Sequence, residues 1–169
     1  MTHHATFATP LGELTAVADD DALIGLYFEA TKYRPAQSTF GAQVEAESDP
    51  VFASTRAQIS EYFAGSRTEF DLPLRLQGHS IAERVWAMLL QIPYGTTTTY
   101  GQLATDLGDR NLAQLVGQAV GHNPISVVVP CHRVIGADGS LTGYAGGIER
   151  KQFLLELEEP AERKAERLF

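Results

Sequence analysis

The sequence predicts an α/β domain at the N-terminal end, followed by a mainly α-helical domain. The first 28 residues contain short strand-like segments separated by turns, whereas from Ser80 onward the apolar residues recur at helical spacing. The polar pair Gln77-Gly78 separates the two patterns. We therefore expect one domain over residues 1–76 and a second over residues 77–169.

Three segments near the N-terminus predict a small antiparallel sheet. HATFAT, ELTAVA and ALIGLYF carry β-branched and aromatic residues, and a Pro-Leu-Gly turn and a run of three aspartates separate them. Farther along, apolar residues recur at helical spacing between a start at Ser48 or Asp49 and a stop at Gly65; they are Phe52, Ile59, Tyr62 and Phe63. We expect this helix to cover one face of a three-stranded sheet.

The remaining elements are predicted to be mainly helices. FDLPLRL has a proline among alternating residues and fits an edge strand or an extended crossing, while IAERVWAMLLQI fits an amphipathic helix that stops at Pro93. Two further helices are expected from Tyr100 to Leu107 and from about Asn111 to Val120, with Gly108 in the turn between them. This arrangement resembles a helix-turn-helix, and an ordinary pair of packed helices has the same spacing.

The charge distribution limits how the protein can bind nucleic acid. The chain has 169 residues and a net charge of −8, and residues 1–78 hold 11 acidic and 5 basic residues. Such a balance argues against binding that depends mainly on phosphate neutralisation. The second half is nearly neutral, which leaves helix N-termini, backbone amides and neutral side chains as possible contacts.

The composition also excludes several kinds of site. One cysteine allows no internal disulfide, and no paired-cysteine zinc motif occurs, so we expect neither a structural metal nor a cofactor. The N-terminus lacks a signal-peptide pattern, and no apolar run approaches the roughly 18 residues of a membrane span. We therefore expect a soluble, cytoplasmic protein with no membrane partner.

The single cysteine, Cys131, lies between a valine-rich run and a histidine. Residues 127–129 are all valine and predict a short buried strand, which Pro130 ends directly before the thiol. A lone cysteine is often an inert buried residue. Here the adjacent histidine and the glycine-rich stretch GYAGG at residues 143–147 favour a reactive thiol, because glycines let the backbone approach a flat ligand closely.

A thiol attacks as a thiolate, so the cysteine needs a base or a positive neighbour. His132 can supply both, although a core histidine bonded to a backbone carbonyl is an equally simple interpretation. Glu158, near the end of a helix that begins at about Ile148, is the candidate to orient His132. The alternative for Glu158 is a solvated charge at a helix end.

The segment GHNPISVVVPCHRVIGADGSLTGYAGGIERKQFLLELE resembles the active-site region of the O6-alkylguanine-DNA alkyltransferases. That family is marked by PCHRV, after an Asn-Pro pair and before a Tyr-x-Gly-Gly pattern. The similarity continues back through IPYGTTTTYGQLA and AERVWAMLLQIPYG to about residue 80, and more loosely to the N-terminus. The resemblance implies an N-terminal α/β domain with a three-stranded antiparallel sheet, and a C-terminal domain with a DNA-binding helix-turn-helix.

The function that the resemblance implies is DNA repair in a single turnover. An alkyl group, such as methyl, is transferred irreversibly from O6-alkylguanine in DNA to Cys131, and O4-alkylthymine is a second substrate to consider. The implied partner is double-stranded DNA, bound through the minor groove by a monomer. The damaged base is flipped out of the duplex, because its O6 atom is inaccessible to a protein thiol inside the stack.

The resemblance also assigns roles to individual residues. Cys131 is the acceptor, His132 activates it through a water molecule, and Glu158 orients His132. Asn123 is expected to brace the turn between the recognition helix and the active site. The expected substrate-binding residues are Tyr100, Asn123, Val134, Tyr144, Ala145 and Gly146. The expected DNA-binding residues are Arg110, Ala113, Gln114, Gly117 and Arg133.

The predicted recognition helix, NLAQLVGQAVG, departs from the family pattern. Gln114 stands where the family has an arginine that inserts into the base stack, and Leu112, Leu115 and Gln118 stand where alanine or glycine is usual. Gln114 lacks the planar cation of arginine, so we expect weaker handling of DNA. Arg110, one helical turn earlier, is the candidate to compensate.

Two other functions are compatible with parts of the sequence. One is a lesion-binding module that recruits other repair factors, as the alkyltransferase-like proteins do, although those proteins have a non-nucleophilic residue in place of Cys131. The other is a thiol hydrolase that uses Cys131, His132 and Glu158 on an ester or amide, and repeated turnover would distinguish it.

Overall fold

The computed structural model describes residues 1–141 and 143–162, so residues 163–169 of the predicted second domain lie outside the described part. The strands are β1 (Thr2–Thr9), β2 (Gly12–Asp19), β3 (Ala22–Phe28), β4 (Ala42–Gln43), β5 (Thr98–Thr99) and β6 (Val134–Ile135). The α-helices are α1 (Pro50–Phe63), α2 (Ser80–Leu89), α3 (Tyr100–Leu107), α4 (Ala113–Gly121) and α5 (Ile148–Glu158). Within the described ranges, no helix is both long and apolar enough to cross a membrane.

The predicted antiparallel meander is present. β1 pairs with β2 so that Phe7 lies opposite Leu14, and β2 pairs with β3 so that Leu14 lies opposite Phe28; all three side chains are buried. β4 pairs in parallel with β1 opposite His3 and His4, so the sheet has four strands rather than three. A strand of two residues is too short to carry an alternating pattern, and the sequence therefore gives no sign of it.

Helix α1 begins and ends as predicted. The Asp49 carboxylate accepts a hydrogen bond of 2.9 Å from the backbone N–H of Val51, and proline occupies the first helical position. Gly65, just past the end, has a φ of 81°, which a glycine adopts without strain. The apolar side chains of the helix, including Phe52 and Tyr62, are buried against the sheet and the C-terminal half.

The segment over residues 70–76 is an extended crossing rather than an edge strand. It pairs with β3 at one position, where the N–H of Leu23 donates to the Pro73 carbonyl at 2.7 Å and the N–H of Arg75 donates to the Leu23 carbonyl at 3.0 Å. Proline is tolerated there because only its carbonyl takes part in the pairing.

Helices α3 and α4 are joined by the tight turn that the sequence predicts. Gly108 ends α3 with a φ of 112°, and the Asp109 carboxylate accepts the N–H of Asn111 at 2.9 Å. This contact begins a short 3-10 turn over Arg110–Leu112, so α4 starts at Ala113, two residues later than predicted. Arg110 therefore lies on the turn before the helix.

Helix α2 holds α4 in place through its tryptophan. Trp86 is buried, and its indole N–H donates a hydrogen bond of 2.8 Å to the carbonyl of Ala119 on α4. Both helices are amphipathic, and their apolar faces meet around this contact.

The predicted buried strand at residues 127–129 is wrong, because these residues form a turn. Val127 has a φ of 71°, and the N–H of Val129 donates to the Ile125 carbonyl at 2.9 Å. The three valines are nevertheless buried, so the apolar run indicates burial correctly but not conformation. Directly after the cysteine, β6 pairs in parallel with β5, with Val134 opposite Thr98.

The two halves of the chain share one core. The N–H of Leu26 in β3 donates to the Pro124 carbonyl at 2.8 Å, and the N–H of Ser126 donates to the Leu26 carbonyl at 3.0 Å. Arg150 of α5 donates to the carbonyls of Leu11, Glu29 and Gly146 at 3.0 to 3.1 Å. Buried apolar side chains from both halves form a continuous cluster around these contacts.

Candidate active site

Cys131 lies at the start of a 3-10 turn, Cys131–Arg133, on the inner side of the C-terminal half. Its side chain is buried, with the residue 5% exposed. The backbone N–H of Cys131 donates to the Val129 carbonyl at 2.8 Å, and the pairing of β5 with β6 holds the chain on its other side. The thiol is therefore fixed from both directions along the chain.

Asn123 braces the turn that leads to the cysteine, as expected. Its side-chain amide donates to the Val129 carbonyl at 2.7 Å, and its side-chain oxygen accepts the N–H of Ile125 at 3.0 Å. The two bonds span the residues around left-handed Val127. The side chain of Asn123 also acts to lower the pKa of the Cys131 thiol, which links the brace to the cysteine.

His132 and Glu158 form a fully buried pair. Nε2 of His132 lies 2.6 Å from Oε2 of Glu158, and because a carboxylate oxygen accepts, Nε2 carries the proton. Nδ1 then presents a lone pair, and it has no hydrogen-bond partner among the described residues. Burial lowers the pKa of His132 although Glu158 opposes the shift, so the ring is neutral and able to accept a proton at neutral pH.

Glu158 is held ionised by the residues around it. Nε and Nη2 of Arg133 donate to its two oxygens at 2.7 and 3.0 Å, and Tyr62 of α1 donates to Oε2 at 2.5 Å. Burial alone would raise the pKa of Glu158, but the hydrogen bonds and charges of His132 and Arg133 outweigh it and lower the pKa to about 2. The interpretation of Glu158 as a solvated helix-end charge is therefore wrong.

Arg133 is buried, whereas the predicted contact with DNA requires it at the surface. Its residue is 6% exposed, and besides Glu158 it donates to the carbonyl of Ile92 at 2.6 Å. A guanidinium whose donors are taken up by buried acceptors is not available to a DNA phosphate. The prediction that Arg133 contacts DNA is corrected accordingly: the residue supports the carboxylate instead.

Lys151 is a buried cation beside the thiol that the sequence analysis missed. It is fully buried, its ammonium donates to the Val134 carbonyl, and Nζ lies 6.0 Å from the centre of the Tyr100 ring. In the sequence it looks like one of several charged residues on α5. Lys151 lies seven residues before Glu158, with buried Leu154 between them, so all three share one face of the helix. This spacing is the sequence signal that could have identified Lys151 as buried.

The resting cysteine is a thiol. Burial raises the pKa of Cys131 to about 11, while the hydrogen bond from Asn123 and the charge of Lys151 oppose the rise. Nucleophilic attack by this cysteine at neutral pH therefore requires a base that takes the proton as the reaction proceeds. Nδ1 of His132 is the available lone pair on the adjacent residue.

Two of the predicted substrate-binding residues, Tyr100 and Tyr144, lie close to Cys131: burial raises the pKa of their hydroxyls, and the charge of the cysteine raises it further. Tyr100 begins α3 and is half-buried, and a Cβ at Gly143 would lie 3.1 Å from its hydroxyl, so the glycine-rich loop passes directly over it. Tyr144 is buried, and burial raises its pKa so that its hydroxyl stays protonated. A Cβ at Gly146 would lie 2.7 Å from the Tyr144 ring, so any larger residue there would require the ring to shift.

Three other predicted substrate-binding residues, Ala145, Gly146 and Val134, are anchored by neighbouring elements through their carbonyls. The carbonyl of Ala145 accepts a hydrogen bond of 2.9 Å from the N–H of Lys32, in the loop after β3. The carbonyl of Gly146 accepts Nη1 of Arg150, and that of Val134 accepts Lys151. The N-terminal half thus contributes directly to the position of the glycine-rich loop.

The predicted DNA contacts on α4 fall on one side of the helix. Gln114, Leu115 and Gln118 are exposed, whereas the opposite side, with Val116 and Ala119, is buried. Ala113 and Gly117 are partly exposed between the two sides, and a Cβ at Gly117 would lie 3.9 Å from the Tyr100 ring. Arg110 is exposed on the preceding turn.

Comparison with known proteins gives the family. The family model described as 6-O-methylguanine DNA methyltransferase, ribonuclease-like domain, matches residues 2–76. The model described as 6-O-methylguanine DNA methyltransferase, DNA binding domain, matches residues 80–160.

Similar proteins agree over almost the whole chain. A Methylated-DNA--protein-cysteine methyltransferase from Mycobacterium tuberculosis is 46% identical over 94% of this chain and 93% of its own. The protein of that name from Methanosarcina acetivorans is 40% identical over 92% and 97%. A crystal structure of Mycobacterium tuberculosis OGT in complex with DNA superposes with a TM-score of 0.84 at 45% identity, covering 92% of each chain. The chain belongs to the 6-O-methylguanine DNA methyltransferase family.

Proposed function

We propose that this chain repairs DNA by irreversible, stoichiometric transfer of an alkyl group from the O6 atom of alkylguanine to the sulfur of Cys131. The observation that carries the proposal is the buried thiol beside a neutral histidine whose second nitrogen is held by an ionised glutamate. This is the arrangement that an activated nucleophile requires. Such a protein is a methylated-DNA--[protein]-cysteine S-methyltransferase that acts once.

Within this proposal His132 is the base. The Sγ–H proton passes to Nδ1, through a bridging water as the family resemblance implies, and Glu158 stabilises the resulting imidazolium. The sulfur forms a bond to the alkyl carbon while the bond from that carbon to O6 breaks, and its electron pair stays on guanine. Return of the proton gives neutral guanine and a neutral thioether. A thioether offers water no good leaving group, which makes the transfer irreversible.

The pocket residues are proposed to bind the flipped base. We assign the Tyr100 hydroxyl and backbone amides of the glycine-rich loop as donors to the charge that develops on the base. Tyr144, Ala145 and Gly146 would line the base, and the Val134 carbonyl would accept a hydrogen bond from the exocyclic amine of guanine. Asn123 acts through the turn that positions Cys131.

The DNA-binding surface is proposed to be the exposed side of α4. Gln114, Ala113 and Gly117 would face the minor groove, with Arg110 at its edge, and the protein would act as a monomer. Support comes from geometry: Gly117 lies next to Tyr100, so this side of α4 and the pocket adjoin. A duplex bound there would present a flipped nucleotide to Cys131 over a short distance.

Intact-mass spectrometry after incubation with an oligonucleotide containing O6-methylguanine tests the proposal. We expect a gain of one methylene unit, located on Cys131, and no gain in Cys131→Ser, because an alcohol of similar size is a far poorer nucleophile near neutral pH. The serine variant should still bind the modified duplex. Binding without any mass gain in the unaltered protein would favour a lesion-binding module, and repeated turnover of a small ester would favour a hydrolase.

A further inference from the structure

One hydrogen bond to the catalytic carboxylate comes from the opposite half of the chain. Tyr62, fully buried on α1, donates its hydroxyl to Oε2 of Glu158 at 2.5 Å across 96 positions of sequence. We propose that Tyr62 is a positioning residue for alkyl transfer, which acts through Glu158 on the orientation of His132. This inference rests on the proposed function.

The hydroxyl shares its acceptor atom with the histidine. Oε2 accepts Tyr62 at 2.5 Å, His132 at 2.6 Å and Nη2 of Arg133 at 3.0 Å. A donor on the same oxygen fixes the plane of the carboxylate, and with it the distance and angle between Oε2 and Nε2 of His132. Nε2 therefore keeps its proton at rest, and the imidazole ring is held with Nδ1 free to act as the base.

The Tyr62 hydroxyl stays protonated and can act only as the donor toward Glu158. Burial raises its pKa far above the ordinary value, and the charge of Glu158 raises it further, so the phenol remains protonated. Its ring is packed against Phe63, Phe70 and Tyr94 at centroid distances of 5.4 to 6.3 Å. These contacts belong to the ring and not to the hydroxyl, so phenylalanine at this position would preserve the packing.

Tyr94 provides a matched control. Its ring stands edge-on to that of Tyr62, and its hydroxyl donates to the Leu157 carbonyl at 3.3 Å rather than to Glu158. Tyr94→Phe therefore removes a phenol hydroxyl from the same aromatic cluster without touching the carboxylate. Any effect confined to Tyr62→Phe belongs to the bond with Glu158.

The test is single-turnover alkylation by free O6-benzylguanine, which requires no DNA. In Tyr62→Phe we expect the maximal rate constant to fall about tenfold, the scale of one hydrogen bond to a charged group, with an unchanged half-saturation concentration. Tyr94→Phe should match the unaltered protein. In a Glu158→Gln background, adding Tyr62→Phe should change nothing further, because the residue acts only through that carboxylate.

Rates are normalised to the fraction of protein that reacts, so partial misfolding does not imitate the effect. As a second measurement, the proton NMR signal of the His132 Nε2–H should move in Tyr62→Phe and stay in place in Tyr94→Phe. The positioning role would be overturned if Tyr62→Phe lowered the maximal rate constant by the same factor with Glu158 and with Gln at that position. It would also be overturned by a higher half-saturation concentration with an unchanged maximal rate constant. If the unaltered protein reacts with neither O6-benzylguanine nor the O6-methylguanine oligonucleotide, the proposed function itself fails; if it reacts only with the oligonucleotide, the same comparison of variants is made with that substrate.

Discussion

Cys131 rests as a thiol because burial raises its pKa to about 11. The cation of Lys151 and the amide of Asn123 oppose this rise only in part. In the proposed reaction the proton must therefore leave during the transfer, and neutral His132, whose Nδ1 has no hydrogen-bond partner among the described residues, is the base we assign to it. On that proposal, the histidine and glutamate control reactivity rather than a preformed thiolate.

This assignment predicts two different pH profiles for alkylation by O6-benzylguanine. In the unaltered protein the rate should vary little between about pH 7 and 9, because neutral His132 is the base throughout that range. In His132→Gln only spontaneously ionised thiol reacts, so the rate should rise about tenfold per pH unit as the pH approaches the cysteine pKa. Stopped-flow measurements over this range would decide, and parallel profiles would contradict the role of His132.

The reacting residues can be predicted from the sequence, whereas most of their partners cannot. Cys131 and His132 are adjacent in a recognisable motif, and Glu158 follows from the family resemblance. Tyr62 has the spacing of any core aromatic residue, and Arg133 looks like a surface cation. Their roles depend on which buried group each one meets in three dimensions, and no periodicity or local motif encodes that pairing.

Helix α4 presents neutral side chains where its family uses a cation. Gln114 is exposed, and the basic residue nearest in sequence, Arg110, lies on a separate 3-10 turn. The helix therefore offers shape and hydrogen bonds to a groove but little charge. This agrees with the negative net charge of −8 of the whole chain.

We predict that Gln114→Arg raises the rate of alkylation on duplex DNA and leaves the reaction with free O6-benzylguanine unchanged, because only the duplex requires a flipped nucleotide. The salt dependence of duplex binding should steepen by up to about one unit, as expected for one added phosphate contact. Gln118→Arg, one helical turn later and also exposed, is the control for added charge alone.

A different outcome would identify another route to the flipped state. If Gln114→Arg leaves duplex repair unchanged or slower, Arg110 becomes the residue to examine. Arg110→Gln should then impair duplex repair more than any change at position 114.

The elements themselves differ in how well the sequence predicts them. The three long strands and helices α1 to α3 follow from periodicity and turn residues, and they are present. The valine run is wrongly predicted as a strand because its β-branched residues favour that conformation. The turn depends instead on two side-chain hydrogen bonds of Asn123, which the valine pattern does not indicate. The two-residue strands β4, β5 and β6 depend on tertiary contacts alone, and the sequence does not indicate them.

At the scale of the whole molecule, Glu158 connects the two halves. It accepts from Tyr62 in the N-terminal half and from His132 and Arg133 in the C-terminal half. Arg150 and the pairing of β3 with residues 124–126 join the same halves elsewhere. The domain boundary at residues 76 and 77 stays a prediction, since the buried apolar cluster extends across it.

Acid should weaken the contacts that Glu158 makes between the two halves and so lower the free energy of unfolding. The pKa of Glu158 is about 2 in the folded protein against a reference of 4.5, so its ionisation favours folding above pH 4.5 and the contribution is lost as the pH falls toward 2. The shift corresponds to roughly 3 kcal/mol of unfolding free energy at neutral pH. Urea unfolding should therefore show Glu158→Gln destabilised at pH 7, with the difference from the unaltered protein shrinking as the pH is lowered.

Glu156→Gln is the control for this measurement. Glu156 lies on the same helix but is exposed, and its carboxylate accepts a hydrogen bond of 3.1 Å from the side-chain amide of Gln152, which is itself exposed. Its loss should change the unfolding free energy by less than about 1 kcal/mol at any pH. If the difference in unfolding free energy between Glu158→Gln and the unaltered protein stayed constant as the pH was lowered from 7, ionisation of this carboxylate would not be coupled to folding.

Trp86 is the one tryptophan of the chain, and its indole is bonded to the helix proposed to enter the groove. Fluorescence excited at wavelengths that only tryptophan absorbs therefore comes from Trp86 alone, at the interface between α2 and α4. When α4 shifts, the Ala119 carbonyl moves with it, and the polarity and hydrogen bonding around the indole change. The molecule thus has an intrinsic optical reporter of its recognition helix, which can be followed in real time without any label.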